Sequence, residues 1–357
     1  MRMPPGGHGT PMGKYRTNTP SKPDRLCIFG LLTFSIMTNT NRPVKIILFL
    51  AAGISLFGST GCAVLSDSQI KNINVFAVTA SSYTSYPSEV FKKRAELHLR
   101  NELLETLSFP DFDHLDKRVD KAKTQYNTDI ATSAKFDKSI QLLAQYAGLL
   151  VELSSDKFTK DLSGSAASLG TNLTGLVGSF NATVPAADTL PTAMGTEISN
   201  VLLAAGRRLV RSKQAKELQK FVPMGDILVQ KTVKNLVEAL DSLKPLLDQE
   251  KKDFVQNYKN VLFSTGTRNY DSVRQYYDAK VDFENTEALR QKCISVANQL
   301  ATAHTALTKS IGEKRDLQGI ITETQGLITD FQDLNKIAAH WSSDIKLPKF
   351  KLGPLNL

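Results

Sequence analysis

Val229, Val233, Leu236, Leu240, Leu243 and Leu247 alternate 4-3-4-3-4, and Phe254 and Val261 keep the phase. Cys293, Ala297, Leu300, His304, Leu307 and Ile311 repeat the pattern, as do Leu327, Phe331, Leu334, Ala338, Trp341 and Ile345. An apolar residue every three or four positions makes a narrow seam along a helix, the spacing that coiled coils bury in knobs-into-holes packing. Three such seams constrain the chain to helices packed on helices. The fold expected is all-α, an elongated antiparallel helical bundle with coiled-coil-like packing. Composition agrees: Ala, Leu, Lys and Gln abound, and only one Trp is present.

The pattern extends upstream. Pro87-Ser88-Glu89 reads as a helix start, because proline is tolerated in a first helical turn. Phe91, Ala95, Leu99, Leu103 and Leu107 recur every four residues, and Phe109-Pro110 ends that stretch. A second helical region runs over 113–154, with Ile140, Leu143, Tyr146, Ala147, Leu150 and Leu153 as its stripe. A long helix is expected from Gly225 to Phe263, bent or split at Pro245. Ser264-Thr265-Gly266 should turn the chain. Near Gly312 the seam changes register, which fits either a turn or a stutter.

Residues 162–206 differ from the rest. They hold only two charged residues, Asp188 and Glu197, and are rich in Gly, Ala, Ser and Thr. Leu162, Leu169, Leu173, Leu176 and Phe180 form a stripe whose opposite face is Ser and Thr. A helical hairpin is expected. Its small residues would allow close helix approach, with larger neighbours covering the polar face; an alternative is that the uncharged surface enters a membrane. At the level of architecture this second reading resembles the α-helical pore-forming toxins.

The N-terminal quarter carries an address. Arg42 and Lys45 precede an apolar run from Ile46 to Phe57, followed by Gly58, Ser59, Thr60 and Gly61. That order marks a secretory signal. The run falls short of the about 20 apolar residues that a spanning helix needs. Ser59-Thr60-Gly61-Cys62-Ala63 resembles the lipobox of bacterial lipoproteins, with Ser59 where Leu is most usual. The resemblance covers this segment alone. It implies cleavage before Cys62, a diacylglyceryl group on its sulfur and usually an acyl chain such as palmitate on the freed amine. No acidic residue follows Cys62, which by resemblance to Gram-negative lipoproteins implies the outer membrane. Met37 makes a natural start for this signal, so 1–36 reads as an upstream extension. The expected organisation is therefore 1–36 extension, 37–61 signal peptide, 62–86 tether with room for one short helix or strand at Ile70–Thr79, 87–345 helical bundle and 346–357 extended tail.

Charge follows the same division. Residues 1–61 hold seven Lys/Arg and one Asp, so +6 of the formal +9 lies in the leader and +3 remains. A basic chain invites a nucleic-acid reading; here secretion and the location of the charge both argue against it. Cys27 falls in the extension and Cys62 is the lipid site, so Cys293 is the one thiol left and reads as a small buried residue.

Candidate chemistry is sparse. Ser154-Ser155-Asp156-Lys157 matches an S-x-x-K spacing without companion motifs. Beyond the leader lie His98, His114, His304 and His340, none in a known metal-binding pattern. His304 occupies a seam position and reads as a register-setting polar group. The expectation is a non-enzymatic, lipid-anchored helical scaffold or binding protein of the cell envelope. It needs no cofactor or metal, is held to the membrane through Cys62, and partners an envelope protein or itself. A hydrolase remains an alternative, which would require polar side chains converging from separate helices in a deep pocket.

Overall fold

The computed structural model describes residues 65–107, 109, 114–154, 162–206, 211–265, 270–313 and 317–339. The described residues are helical, without strands: α1 (Asp67–Tyr83), α2 (Ser85–Leu107), α3 (Leu115–Ser154), α4 (Leu162–Asn181), α5 (Met194–Gly206), α6 (Arg211–Thr265), α7 (Tyr270–Glu313) and α8 (Leu317–Ala339). One 3-10 turn, Ala186–Asp188, lies between α4 and α5. The fold is all-α, as the periodicity requires. The expected signal segment with Cys62, the expected 1–36 extension, Trp341, Ile345 and the expected 346–357 tail lie outside the described residues.

Side-chain pairs fix the packing directions. Between α6 and α7, Lys251 meets Glu284 at 3.2 Å, Gln230 donates to the Ala301 carbonyl at 2.9 Å and Asp226 meets His304 at 2.9 Å, so the two helices run antiparallel. Between α7 and α8, Lys292 meets Asp330 at 2.7 Å and Gln299 meets Glu323 at 2.8 Å, again antiparallel. The register change near Gly312 therefore falls at the end of one of two antiparallel helices and is not a stutter within one long helix. In α1 and α2, Asn74 pairs with Ser154, Ser88 with Asp137 and His98 with Asp129, so both run antiparallel to α3 in one nearly constant register. Arg94 with Glu250 and Asn101 with Asn257 set α2 parallel to α6.

The seams are buried. Val229, Leu236, Leu240 and Leu247 of α6, Cys293, Ala297, Leu300 and Leu307 of α7, and Leu327, Leu334 and Ala338 of α8 join one core with the α3 stripe. At roughly 1.5–3 kcal/mol for each fully buried large aliphatic side chain, these stripes provide the main drive for folding.

Four expectations are corrected. Residues 67–83 of the supposed tether form α1, which buries Ile73, Phe76, Ala77 and Tyr83 completely. Ser66 caps it, accepting from the Gln69 N–H at 3.2 Å while Gln69 Oε1 accepts from the Ser66 N–H at 2.8 Å. The long helix begins at Arg211, not Gly225, and is not split: it continues through Pro223 and Pro245. Pro245 is exposed and is flanked by buried Leu243 and Leu247, whose packing holds the helix together past the lost hydrogen bond. The α2 stripe buries Phe91 and Ala95 but exposes Leu103 and Leu107, because a strict four-residue step rotates about 40° each time and leaves the core face. Finally, α4 and α5 do form a close antiparallel hairpin: a Cβ on Gly195 would lie 2.5 Å from the Thr174 Cα. Their outer face of Thr171, Asn172, Gly175, Gly178 and Asn200 is exposed, however, not covered.

Candidate functional site

Among the described residues, two of the polar clusters built across helices contain a histidine. The first centres on His304, a seam residue with no exposure. Its Nδ1 lies 2.9 Å from Asp226 Oδ1 and its Nε2 2.7 Å from the Tyr146 hydroxyl. A carboxylate only accepts, so Nδ1–H donates to Asp226 and Nε2 accepts from the Tyr146 O–H. Burial lowers the pKa of His304 against the upward pull of Asp226, which keeps the ring neutral and fits that tautomer. The hydrogen bond from His304 is the chief cause holding Asp226 below the ordinary carboxylate range. Burial pushes the Tyr146 phenol well up.

Hydroxyl, imidazole and carboxylate in line is the order of a nucleophilic triad. Access decides otherwise. Tyr146 has no exposure, stacks on Phe221 at 5.3 Å between ring centroids and presses against Gly225, while Phe76 meets the His304 ring edge-on at 5.3 Å. A phenol with a raised pKa enclosed by aromatic rings is a poor nucleophile that no substrate reaches. The arrangement locks α3, α6 and α7 in register, the role expected of His304.

The second cluster joins α2, α3 and α6. Arg94 bridges Asp129 at 3.1 Å and Glu250, and His98 Nδ1 lies 2.6 Å from Asp129 Oδ2. Glu102 stands 3.7 Å from His98 Nε2. Glu250 is buried, its pKa raised chiefly by desolvation despite Arg94. Arg94 Nε and Glu250 Oε2 are buried without a hydrogen-bond partner. This group is a tightly packed ionic contact with incomplete satisfaction, the kind that specifies one packing at a cost in stability.

The other sequence candidates are placed as follows. Cys293 is a buried free thiol, its pKa pushed up by burial, and its carbonyl accepts from the Tyr83 hydroxyl at 2.8 Å. Ser154 donates to the Leu150 carbonyl at 2.7 Å and accepts from Asn74, which removes it from nucleophilic work; Lys157 lies outside the described residues. His114 lies at the start of α3, far along that helix from Tyr146, and His340 lies outside the described residues. Cys62 likewise lies outside them. Among the described residues no group of three or more His, Cys, Asp or Glu is placed to hold a metal ion. A polar cleft of about 130 Å³ between α2 and α7 is lined by Lys93, Glu96, Leu97, Arg100, Asp282 and Thr286, and the Arg100–Asp282 pair at 2.8 Å crosses it. Ligand pockets usually start near 300 Å³.

The surface offers a different feature. Leu103, Leu107, Phe109, Val119, Phe263, Tyr270, Val273 and Tyr277 are large apolar or aromatic residues exposed by 39–76%. The pairing registers above bring the α2 C-terminus, the α3 N-terminus, the α6 C-terminus and the α7 N-terminus to one end of the bundle, so all eight gather there. The Arg118 guanidinium sits 3.8 Å over the Phe109 ring. Single exposed apolar residues are ordinary, but contiguous groups mark interaction sites. Comparison with family models, with curated proteins and with solved structures finds no match for this chain.

Proposed function

We propose that this chain is a lipid-anchored, extracytoplasmic helical scaffold or binding protein without enzymatic activity. In this reading Cys62 carries the lipid chains that hold it to the membrane, the outer one if the cell is Gram-negative. The bundle is elongated, and its far end meets an envelope protein. The observation that carries the reading is the gathering of exposed Leu107, Phe109, Val119 and Phe263 at the end opposite the start of α1. In this reading α1 and α2 lie end to end, and their 41 residues from Asp67 to Leu107 would hold that end on the order of 60 Å from the anchor side at 1.5 Å per residue. The buried polar clusters support it too, since both are spent on helix–helix contacts.

The test is cross-linking in intact envelopes followed by pull-down. A stoichiometric partner should be recovered, and Leu107→Ser with Val119→Ser should lose it while helicity and secretion persist. A protein that captures nothing, or captures the same partner after both substitutions, contradicts the reading.

A second reading, insertion of the α4–α5 hairpin into a membrane, has the exposed uncharged face of Thr171, Gly175 and Gly178 in its favour. Against it, Leu173, Val177, Phe180 and Ile198 are committed to the core, and no described helix is long and apolar enough to cross a membrane. Leakage of dye from liposomes by the delipidated protein would favour insertion; intact liposomes would dispose of it.

A further inference from the structure

Helix α4 contains poor helix formers where no packing demands them. Gly175 and Gly178 stand exposed in its interior, and a Cβ on either would meet nothing within 4 Å. A glycine inside a helix weakens it relative to alanine, and the usual reason to keep one is a turn or a close approach. Gly170 and Gly195 have that reason, because Ser199 and Thr174 press on them where α4 meets α5. Among the described residues Gly175 and Gly178 have none. Thr171, Asn172 and Thr174 add further residues of low helix propensity. Helix α4 is therefore held helical by what it packs on.

The hairpin is tied down at its tip. Lys231 of α6 donates to the Ala187 carbonyl at 3.3 Å and to the Thr189 carbonyl at 2.6 Å. Lys234, one turn further on, pairs with half-buried Asp188 at 2.7 Å. Asn181 braces the same turn from within, donating to the Leu190 carbonyl at 2.8 Å and accepting from the Leu190 N–H at 2.7 Å. Asp188 is one of only two charged residues in 162–206, so half of the charge in this segment is spent on the contact with α6. Behind the tip, Leu173, Val177 and Phe180 of α4 and Ile198 of α5 are buried.

The hairpin packs against α3 and α6. Those two helices also meet each other directly: Tyr146 stacks on Phe221 and presses against Gly225, and Ser139 donates to Asn235 at 2.8 Å. Their contact does not pass through the hairpin, so the bundle keeps its joints when the hairpin leaves. Elements that move are drawn from the locally weak parts of a fold.

We propose that the α4–α5 hairpin is a cover that opens as one piece from α3 and α6, latched at its tip by Lys231 and Lys234, while the rest of the bundle stays folded. Opening bares Leu173, Val177, Phe180 and Ile198 together. The device works with or without a partner at the far end of the bundle.

Hydrogen exchange of the full-length protein in mild detergent, read by mass spectrometry of its peptides, tests this. In the wild type the amides of 171–181 and 194–201 should exchange together, at least about tenfold faster than those of 293–300 in α7, because sub-global opening lies below global unfolding. Lys231→Met with Lys234→Met removes the latch and should speed both hairpin helices by about tenfold, with 293–300 unchanged. Gly175→Ala with Gly178→Ala enters open space and should slow both helices by about tenfold, α5 included although neither substitution lies in it. Hairpin amides as slow as those of 293–300 in the wild type overturn the proposal. So does a response of α4 that α5 does not share, since the two helices would then open separately. A latch variant that leaves hairpin exchange unchanged, or speeds 293–300 equally, overturns it as well.

Discussion

Gly225 lies inside α6 with the Tyr146 ring against it: a Cβ there would stand 2.1 Å from the hydroxyl oxygen, 2.2 Å from Cζ and 2.3 Å from Cε2. Ordinary contacts between non-bonded carbons are about 3.5–4.0 Å, so Gly225→Ala forces the ring back by more than about 1 Å. Two contacts then suffer. The stack on Phe221, with planes only 4° apart, is worth about 0.5–1.5 kcal/mol. The 2.7 Å bond to His304 breaks, leaving a buried nitrogen unpaired at about 1–3 kcal/mol. Against this stands a gain of about 1 kcal/mol from replacing a mid-helix glycine by alanine. The expected net loss is about 2 kcal/mol, read as a lower urea midpoint by far-ultraviolet circular dichroism. The sign should reverse when the ring is absent: in a Tyr146→Leu background the same Gly225→Ala change should stabilise by up to about 1 kcal/mol. Gly225→Ala that is neutral in the wild type, or equally harmful in both backgrounds, would refute the argument that the ring is what the glycine admits.

Two further outcomes follow from the polar clusters. The folded-state pKa of His304 lies below its ordinary 6.5, so as pH falls below 6.5 the unfolded chain takes up a proton that the folded one resists, and stability declines. Asp226, also lowered, adds a loss of the same sign as pH drops below 3.8. Urea midpoints at pH 7.5, 6.5 and 5.5 should therefore fall in wild type and fall less steeply in His304→Gln; equal slopes would exclude His304 as the cause. Arg94→Met strands Asp129 and buried Glu250 without their cation and should cost about 3–5 kcal/mol, with Glu250→Gln recovering part of it. Additive effects of the two changes would show that Arg94 and Glu250 do not act together.

The long seams were legible because each repeats many times within one helix, and repetition survives local exceptions. Val229 to Leu247, Cys293 to Ile311 and Leu327 to Ala338 are buried as spaced. The stripe in α2 failed where four-residue steps ran without the compensating three, which is a matter of rotation and was visible in the spacing. Helix α1 was read only as a short helix or strand over Ile70–Thr79, because the Ser66–Gln69 capping box ahead of Ile70, Ile73, Phe76, Ala77 and Tyr83 was a missed local signal. Gly225 looked like a terminus because glycine usually ends helices; only the tertiary approach of Tyr146, from a residue 79 positions upstream, gives it a mid-helix purpose. The Arg94–His98–Asp129–Glu250 cluster had no reading in sequence, since its members come from three helices and no spacing links them. His304 was readable as a polar seam residue, but its partners Tyr146 and Asp226 were not.

The proposed anchor at Cys62 would decide where the whole molecule works, and mass spectrometry of the mature N-terminal peptide tests it in one step. The account predicts that residues 1–61 are gone and that the peptide begins at Cys62, heavier by a diacylglyceryl group and an amide-linked acyl chain. A peptide running unbroken across Gly61–Cys62, or a Cys62 bearing a bare thiol, would contradict it.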